Sequence, residues 1–172
     1  MDYPTSYNRY RRQLALKEWG DIGQRKLQQA KILVAGAGGL GCPALQYLVA
    51  AGAGVIGIVD GDTVSLHNLH RQPLYGMQDI GFSKAERAAE NLRQLNPDID
   101  IIPINQWLSP YNTLDILRQF DLVIDGTDNF TTRYLLNDAA VLLNKPLVYG
   151  AVSKFEGQVA VFNADAGNGL RS

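Results

Sequence analysis

The 172-residue chain predicts an α/β fold: a mostly parallel sheet with helices on both faces, preceded by an N-terminal helical arm. Three observations carry that expectation. Short apolar runs of strand length alternate with segments of helical spacing from about residue 31 onward. A glycine-rich loop, GAGGLG at Gly36–Gly41, separates the first such run from the first such helix, the arrangement of Rossmann-like nucleotide-binding folds. The composition, 46% hydrophobic and 19% charged, is that of about one globular domain and too apolar for disorder.

The elements follow in order. Residues 1–30 form the expected arm. Up to Lys31 there are seven Lys and Arg against three acids, a net of +4, beside −5 for the remainder. A solvated basic helix explains such a run; so does an arginine delivered to an anion, in the same subunit or a neighbour. Lys31-Ile-Leu-Val-Ala35 reads as the first strand, and Pro43 to Ala51 as a helix whose first turn tolerates proline. Val55-Ile-Gly-Ile-Val59 is a second buried strand ending at Asp60. From Gly61 to Phe82 no period is visible, and so long a connection points to function. Ser83 is placed to cap a helix that runs to Leu95 and stops at Asn96-Pro97. A strand at Ile99–Ile104, a helix at Pro110–Gln119 and a strand at Leu122–Asp125 come next. A helix from Asn129 or Thr131 to Leu143 and strands at Pro146–Ala151 and Gln158–Phe162 complete the series. The organisation is an arm over 1–30, a nucleotide-binding domain over 31–162, and a polar, glycine-rich tail over 163–172 that reads as a loop cut short.

Composition also excludes. A net charge of −1 argues against generic nucleic-acid binding. No apolar run approaches the roughly 18 residues of a membrane helix, and no secretory signal opens the chain. The single cysteine, Cys42, rules out an internal disulfide framework or a cysteine-based zinc cage in these residues. A soluble, cytoplasmic chain is expected.

In the glycine loop, Gly36 makes the tight turn, Gly38 lets the backbone approach a phosphate, and Gly41 lets the helix pack on the strand. Asp60 lies 24 residues past Gly36 at the end of the next strand, where a carboxylate accepts from ribose hydroxyls. A nicotinamide dehydrogenase would share this loop and acid, so the residues downstream must discriminate. They are Asp62, Asn68, Arg71 and Gln72 in the irregular stretch, Lys84 at its close, and Asp128 and Asn129 after a later strand. Ligands bind beyond the carboxyl ends of parallel strands, so these groups converge on one crevice. Two cations and an acid beside phosphates suit a reaction at a nucleoside triphosphate, with the carboxylate holding Mg²⁺, better than hydride transfer. The plainer roles are surface cations for Arg71 and Lys84, a helix cap for Asp128 and a turn for Asn68. His67 and His70 read as loop residues, Cys42 as a small packing residue beneath the glycine loop, and Trp19 and Trp107 as packing residues.

Taken together, RYRRQ (Arg9–Gln13), GAGGLG, VDGDTVSLHNLHRQ, GFSKAE, LNPDI, DGTDNFTTRY, PLVYGAV and FEGQV (Phe155–Val159) resemble the ThiF/MoeB/HesA family, bacterial relatives of ubiquitin-activating enzymes. The resemblance runs from about Arg9 to Phe162. It implies an adenylyltransferase that uses ATP and Mg²⁺ to activate the C-terminal glycine carboxylate of a small ubiquitin-like sulfur-carrier protein, of molybdopterin- or thiamine-pathway type, with release of pyrophosphate. By matching motifs it implies that Gly39 and its neighbours cradle phosphate and that Asp60 holds the ribose. It further implies that Asn68, Arg71 and Lys84 contact the triphosphate and that Asp128 binds Mg²⁺. Arg12 matches the family arginine that reaches into a partner subunit's site, which implies a homodimer and a catalytic set of Arg12, Arg71, Lys84 and Asp128. The chain departs from the family at His67-Asn-Leu-His-Arg71, where SNLQR is usual, and at Gly126, where a cysteine is usual. The family's two CxxC pairs and reactive cysteine have no counterpart here, so no zinc site is expected within these residues. Other readings stand beside this one: a non-catalytic fragment that binds nucleotide or dimerises, a nicotinamide-dependent oxidoreductase, and a relative acting on a modified tRNA base, which the near-neutral charge disfavours.

Overall fold

Both faces of the strand Lys31–Ala35 are buried, and this strand organises the molecule. A computed structural model describes residues 8–164. Its strands are β1 (Lys31–Ala35), β2 (Val55–Val59), β3 (Asp100–Ile104), β4 (Leu122–Asp125), β5 (Leu147–Ser153) and β6 (Glu156–Phe162). Its helices are α1 (Arg11–Leu14), α2 (Gly20–Gln29), α3 (Gly41–Ala51), α4 (Lys84–Leu95), α5 (Thr113–Arg118) and α6 (Phe130–Leu142). The six strands form one sheet in the order β3-β2-β1-β4-β5-β6, with β1 to β5 parallel and β6 antiparallel to β5.

Successive side chains of a strand point to opposite faces, so β1 feeds two cores. Ile32 and Val34 pack with Ile56 and Ile58 of β2, Leu45 and Val49 of α3, and Ala85, Ala88, Ala89 and Leu92 of α4. That spacing in α4 is one apolar helix face, built mostly of alanines that let the helix lie close. Leu33 and Ala35 face the other way, onto Ile116 and Leu117 of α5, Phe120, and Leu136, Ala139 and Ala140 of α6. Phe120 fills a gap left by a missing side chain: a Cβ on Gly57 would stand 2.2 Å from the ring's Cζ.

The strand order puts the carboxyl ends of β1 and β4 side by side while their connections depart in opposite directions. A crevice opens at such a switch point. The helix read at Pro110–Gln119 is shorter, beginning at Thr113. Ser109 to Asn112 instead form a turn, in which the Asn112 Oδ1 accepts from the Ser109 N–H at 2.8 Å and the Ser109 carbonyl accepts the Thr113 N–H and hydroxyl. The last two strands run longer than read, because β5 and β6 pair as a tight hairpin from Ser153↔Glu156 to Leu147↔Phe162.

The arm docks at the end of the molecule opposite the crevice. Tyr10 is buried where Gly52, at φ +93, has no side chain; a Cβ there would lie 2.5 Å from the tyrosine Cζ. The Asn96 Nδ2 donates to the Tyr10 hydroxyl and to the Val49 carbonyl, each at 2.9 Å. Gln13 and Gln24 donate to the Ala51 carbonyl, and Arg9 to that of Leu95. Side chains of the arm thus take up carbonyls that the last turns of α3 and α4 leave open. Residues 1–7 of the expected arm and 165–172 of the expected tail lie outside the described residues. Among the described residues no helix is long and apolar enough to cross a membrane.

Candidate active site

A cleft of about 610 Å³ lies beyond the carboxyl ends of β1, β2 and β4. The glycine loop forms its floor. Gly36 takes φ +87, which favours glycine, and its α-carbon faces the Gly126 carbonyl so closely that a Cβ would stand 3.0 Å from it. Gly41 is the packing glycine: a Cβ there would come within 1.8 Å of the Gly36 carbonyl oxygen. Gly36, Gly38 and Gly39 line the cleft and Gly41 does not. Among the described residues the N–H groups of Gly38, Gly39 and Leu40, at the start of α3, donate to no protein acceptor. That is the arrangement an anion uses.

Asp60, half-buried at the end of β2, is held by the loop it faces. Its Oδ2 accepts from the Ala37 N–H at 2.8 Å and its Oδ1 from the Asp62 N–H at 2.9 Å. Each carboxylate oxygen keeps a further lone pair for a ligand hydroxyl.

The irregular segment after Asp60 folds back on itself. Thr63 bridges Ser83, the Val64 N–H donates to the Phe82 carbonyl, and the Lys84 N–H donates to the Asp62 carbonyl. This closure brings Asp62 onto Lys84, whose Nζ stands 2.5 Å from the Asp62 Oδ2. Lys84 is only 6% exposed, so its charge is directed into the cleft and answered there. Burial raises the Asp62 carboxyl, but Lys84 and the Thr63 N–H outweigh it and hold the group below the usual carboxylate range. At the rear, the buried Asp79 accepts from Arg87 at 2.7 Å and from the Gly76 N–H at 2.8 Å, fixing the segment to α4.

Arg71 lies beside Gly39, its Cδ 3.5 Å from where a Cβ would stand, and its Nη1 meets the His67 carbonyl and the His70 Nε2. Asn68 is buried and accepts from the Ser65 N–H, while Gln72, 3% exposed, borders Gly38 with its Oε1 unpartnered among the described residues. Asp128 and Asn129 enter from the loop after β4. Asn129, not Asp128, caps α6 through the Thr132 N–H at 2.8 Å, so Asp128 stays exposed and forms no ion pair among the described residues. The Asp125 carboxyl just before them is buried and raised by that burial, with its Oδ1 held by the Thr127 N–H and hydroxyl.

Of the expected residues, Asp60, Asp62, Asn68, Arg71, Gln72, Lys84, Asp128 and Asn129 therefore share one cleft. Arg12 does not join them; it is exposed on α1, with the far-end arm. Trp107, expected to pack, is 66% exposed and lies over Gly61 at the cleft rim. Its neighbours Gln106 and Leu108, together with Thr127, Arg133 and Val152, also line the cleft. Arg133 grips the Thr127 carbonyl through two nitrogens and stacks on Tyr149, which fixes the Asp128 loop. Thr127 and Arg133 fall within DGTDNFTTRY and Val152 ends PLVYGAV, whereas Gln106, Trp107 and Leu108 belong to no motif.

The ThiF family model matches residues 10–172. The chain belongs to the ThiF family. Among its relatives, the sulfur carrier protein adenylyltransferase of Thermus thermophilus is 54% identical over 156 residues, 91% of this chain and 58% of that protein. The probable adenylyltransferase/sulfurtransferase MoeZ of Mycobacterium tuberculosis is 51% identical over 162 residues, 94% of this chain and 41% of the relative. The chain thus spans roughly half the length of these relatives. Among solved structures, the E. coli tRNA N6-threonylcarbamoyladenosine dehydratase TcdA in complex with ATP superposes with a TM-score of 0.80 at 27% identity, covering 88% of this chain and 63% of that one. The Rossmann-like sheet is therefore that of ThiF-family proteins.

Proposed function

We propose that this chain binds ATP in the cleft and transfers its adenylyl group to the C-terminal glycine carboxylate of a small ubiquitin-like sulfur carrier. The observation that carries the reading is the meeting of Lys84, Arg71 and Asp128 around the unpartnered N–H groups of the glycine loop. Residues 31–162 act as the adenylation domain and residues 1–30 as its arm. Asp60 accepts from the ribose hydroxyls, the glycine loop and Asn68 and Gln72 border the phosphates, and Lys84 and Arg71 offset their charge.

In the reaction a carboxylate oxygen of the carrier attacks the α-phosphorus. The bond from that phosphorus to the bridging oxygen breaks, and its electron pair leaves on pyrophosphate. Both reactants are anions, so repulsion dominates the barrier; fixed cations lower it and positioning supplies much of the rest. The attacking carboxylate is already ionised, so no general base is needed. Among the described residues no cluster of three metal-ligating side chains exists. Mg²⁺ does not require one, since it usually keeps several waters and takes one or two carboxylates with substrate phosphates. Asp128, uncommitted at the cleft mouth, fits that role; bound there, the ion would further neutralise phosphate charge. Arg12 serves the site of a second copy, which makes the working unit a homodimer.

The sulfur carrier protein adenylyltransferase named above is 54% identical over the matched residues, whereas the tRNA-directed neighbour is 27% identical. With the net charge of −1, this favours a protein tail over a nucleic acid. Calorimetric titration with Mg-ATP, with NAD as control, tests the nucleotide; carrier-dependent ATP–pyrophosphate exchange tests the reaction. Asp128→Ala should abolish exchange, and undiminished exchange would sink the metal assignment. Mg-ATP binding without exchange for any carrier would reduce the chain to a nucleotide-binding module. Preferential NAD binding would refute both.

A further inference from the structure

A tyrosine that does not line the cleft sits directly behind the glycine loop. Tyr75, 7% exposed, belongs to the irregular segment between β2 and α4, and its hydroxyl donates to the Ala37 carbonyl at 2.8 Å. The same hydroxyl lies 3.3 Å from the Lys84 carbonyl, and the Cys42 thiol lies 3.3 Å from the Ala37 carbonyl. Burial pushes the Tyr75 hydroxyl well above its ordinary value and the Cys42 thiol up to about 11, so both stay protonated as donors. A hydroxyl has one proton to give, and the shorter contact takes it. The Ala37 carbonyl is thus held from the buried side by two side chains.

Peptide planarity carries that grip to the cleft. The carbonyl of Ala37 and the N–H of Gly38 share one trans peptide and point in opposite directions. A carbonyl fixed inward onto Tyr75 turns the Gly38 N–H outward, toward the cleft that Gly38 lines. On the other side of Ala37, its own N–H is committed to Asp60. Both peptides flanking Ala37 are therefore set, and the Gly38 N–H is left without a protein acceptor among the described residues.

We propose that Tyr75 is a positioning residue for the phosphate subsite: by gripping the Ala37 carbonyl it aims the Gly38 N–H at the phosphates. The proposal rests on the nucleotide reading above. It makes the back of the loop, rather than its cleft face, responsible for phosphate affinity.

The test is titration of the chain and its Tyr75→Phe variant with ATP, ADP and adenosine. The substitution keeps the ring and removes only the hydroxyl. ATP and ADP affinity should fall about five- to tenfold, the scale of one lost hydrogen bond, while adenosine binding stays within about twofold. A purely structural role would weaken all three alike, and that result, or no change in any, overturns the proposal. Failure of the unaltered chain to bind ATP or ADP refutes the nucleotide reading itself. Should Tyr75→Phe not fold, the unaltered chain can be titrated with inorganic tripolyphosphate by NMR. The Gly38 amide resonance should then shift strongly, and an unmoved Gly38 amide beside shifting Gly39 and Leu40 amides overturns the assignment.

Discussion

A lysine buried beside the glycine loop needs its charge answered, and Asp62 answers it. The pair stands at 2.5 Å, with Lys84 nearly enclosed and Asp62 about half exposed. Asp62 is also the end of a backbone clamp, so the same residue closes the loop and holds the cation. Its carboxyl lies below the usual range in the folded chain. The stabilisation it gives is then fully present above the unfolded carboxylate value, about 3.9, and is lost as pH falls through the lower folded value. Asp62→Asn should therefore be less stable than the unaltered chain near neutrality, and the two melting temperatures should converge as pH falls below about 4. A gap that persists unchanged into acid would mean that the pair contributes nothing. Lys84→Met removes the cation without leaving a buried charge; it should remain folded and lose exchange activity by at least about a hundredfold, as expected when a charge aimed at the transition state is deleted. Retained exchange would place the phosphate charge elsewhere.

At the scale of elements, the arm shows how a basic segment is held without neutralising it. Its anchors are uncharged or aimed at carbonyls: Tyr10 in the slot of Gly52, Asn96 across to Tyr10, and Gln13 and Gln24 on Ala51. Arg12 is left exposed and unpaired among the described residues. Asn96→Ala leaves the Val49 carbonyl with only the Gly52 N–H at 3.2 Å and unties the Tyr10 hydroxyl, and should cost about 1–3 kcal/mol in urea unfolding. Because the arm lies far from the cleft, Mg-ATP affinity should survive while carrier-dependent exchange drops; equal loss of both would show that the arm shapes the cleft of its own chain. In the sheet, Phe120→Ala would empty the space over Gly57 and cost about 3–5 kcal/mol. These elements were also the most legible part of the sequence. Periodicity marked β1, β2, β4, α4 and α6 to within about two residues, because each buries a regular face. It was off by three residues at the start of α5, where a side-chain turn at Ser109–Asn112 sets the end, and by two at the hairpin ends of β5 and β6, where cross-strand pairing does. Neither leaves a periodic trace.

For the molecule as a whole, the parallel sheet explains why so much of the candidate site could be read and why the rest could not. Strand ends place GAGGLG, Asp60 and Asp128 by topology alone, so spacing along the chain suffices to gather them. Trp107 and Tyr75 reach the site only through tertiary packing of loops, and their sequence neighbourhoods carry no motif. Topology also separates the two ends of the molecule. Arg12 sits with the C-terminal end of the 11-residue α3, while the glycine loop sits at its N-terminal end, roughly 16 Å away along the helix axis. An arginine so placed cannot serve its own cleft without undoing the Tyr10 anchor. If it acts at all, it acts in another copy, and mixing two inactive variants distinguishes the cases. Arg12→Ala and Arg71→Ala should each be inactive alone. In a mixed dimer, the cleft of the Arg12→Ala subunit keeps its own Arg71 and receives Arg12 from the partner, while the other cleft loses both. Random exchange at equal amounts should restore about a quarter of the sites, and so about a quarter of the exchange activity, if the dimer is symmetric. An arginine working in its own chain would give no restoration, since every cleft would lack one of the two cations. Co-purification of the two differently tagged variants establishes that mixed dimers formed, and inactivity in that sample would then remove Arg12 from the reaction of a second subunit.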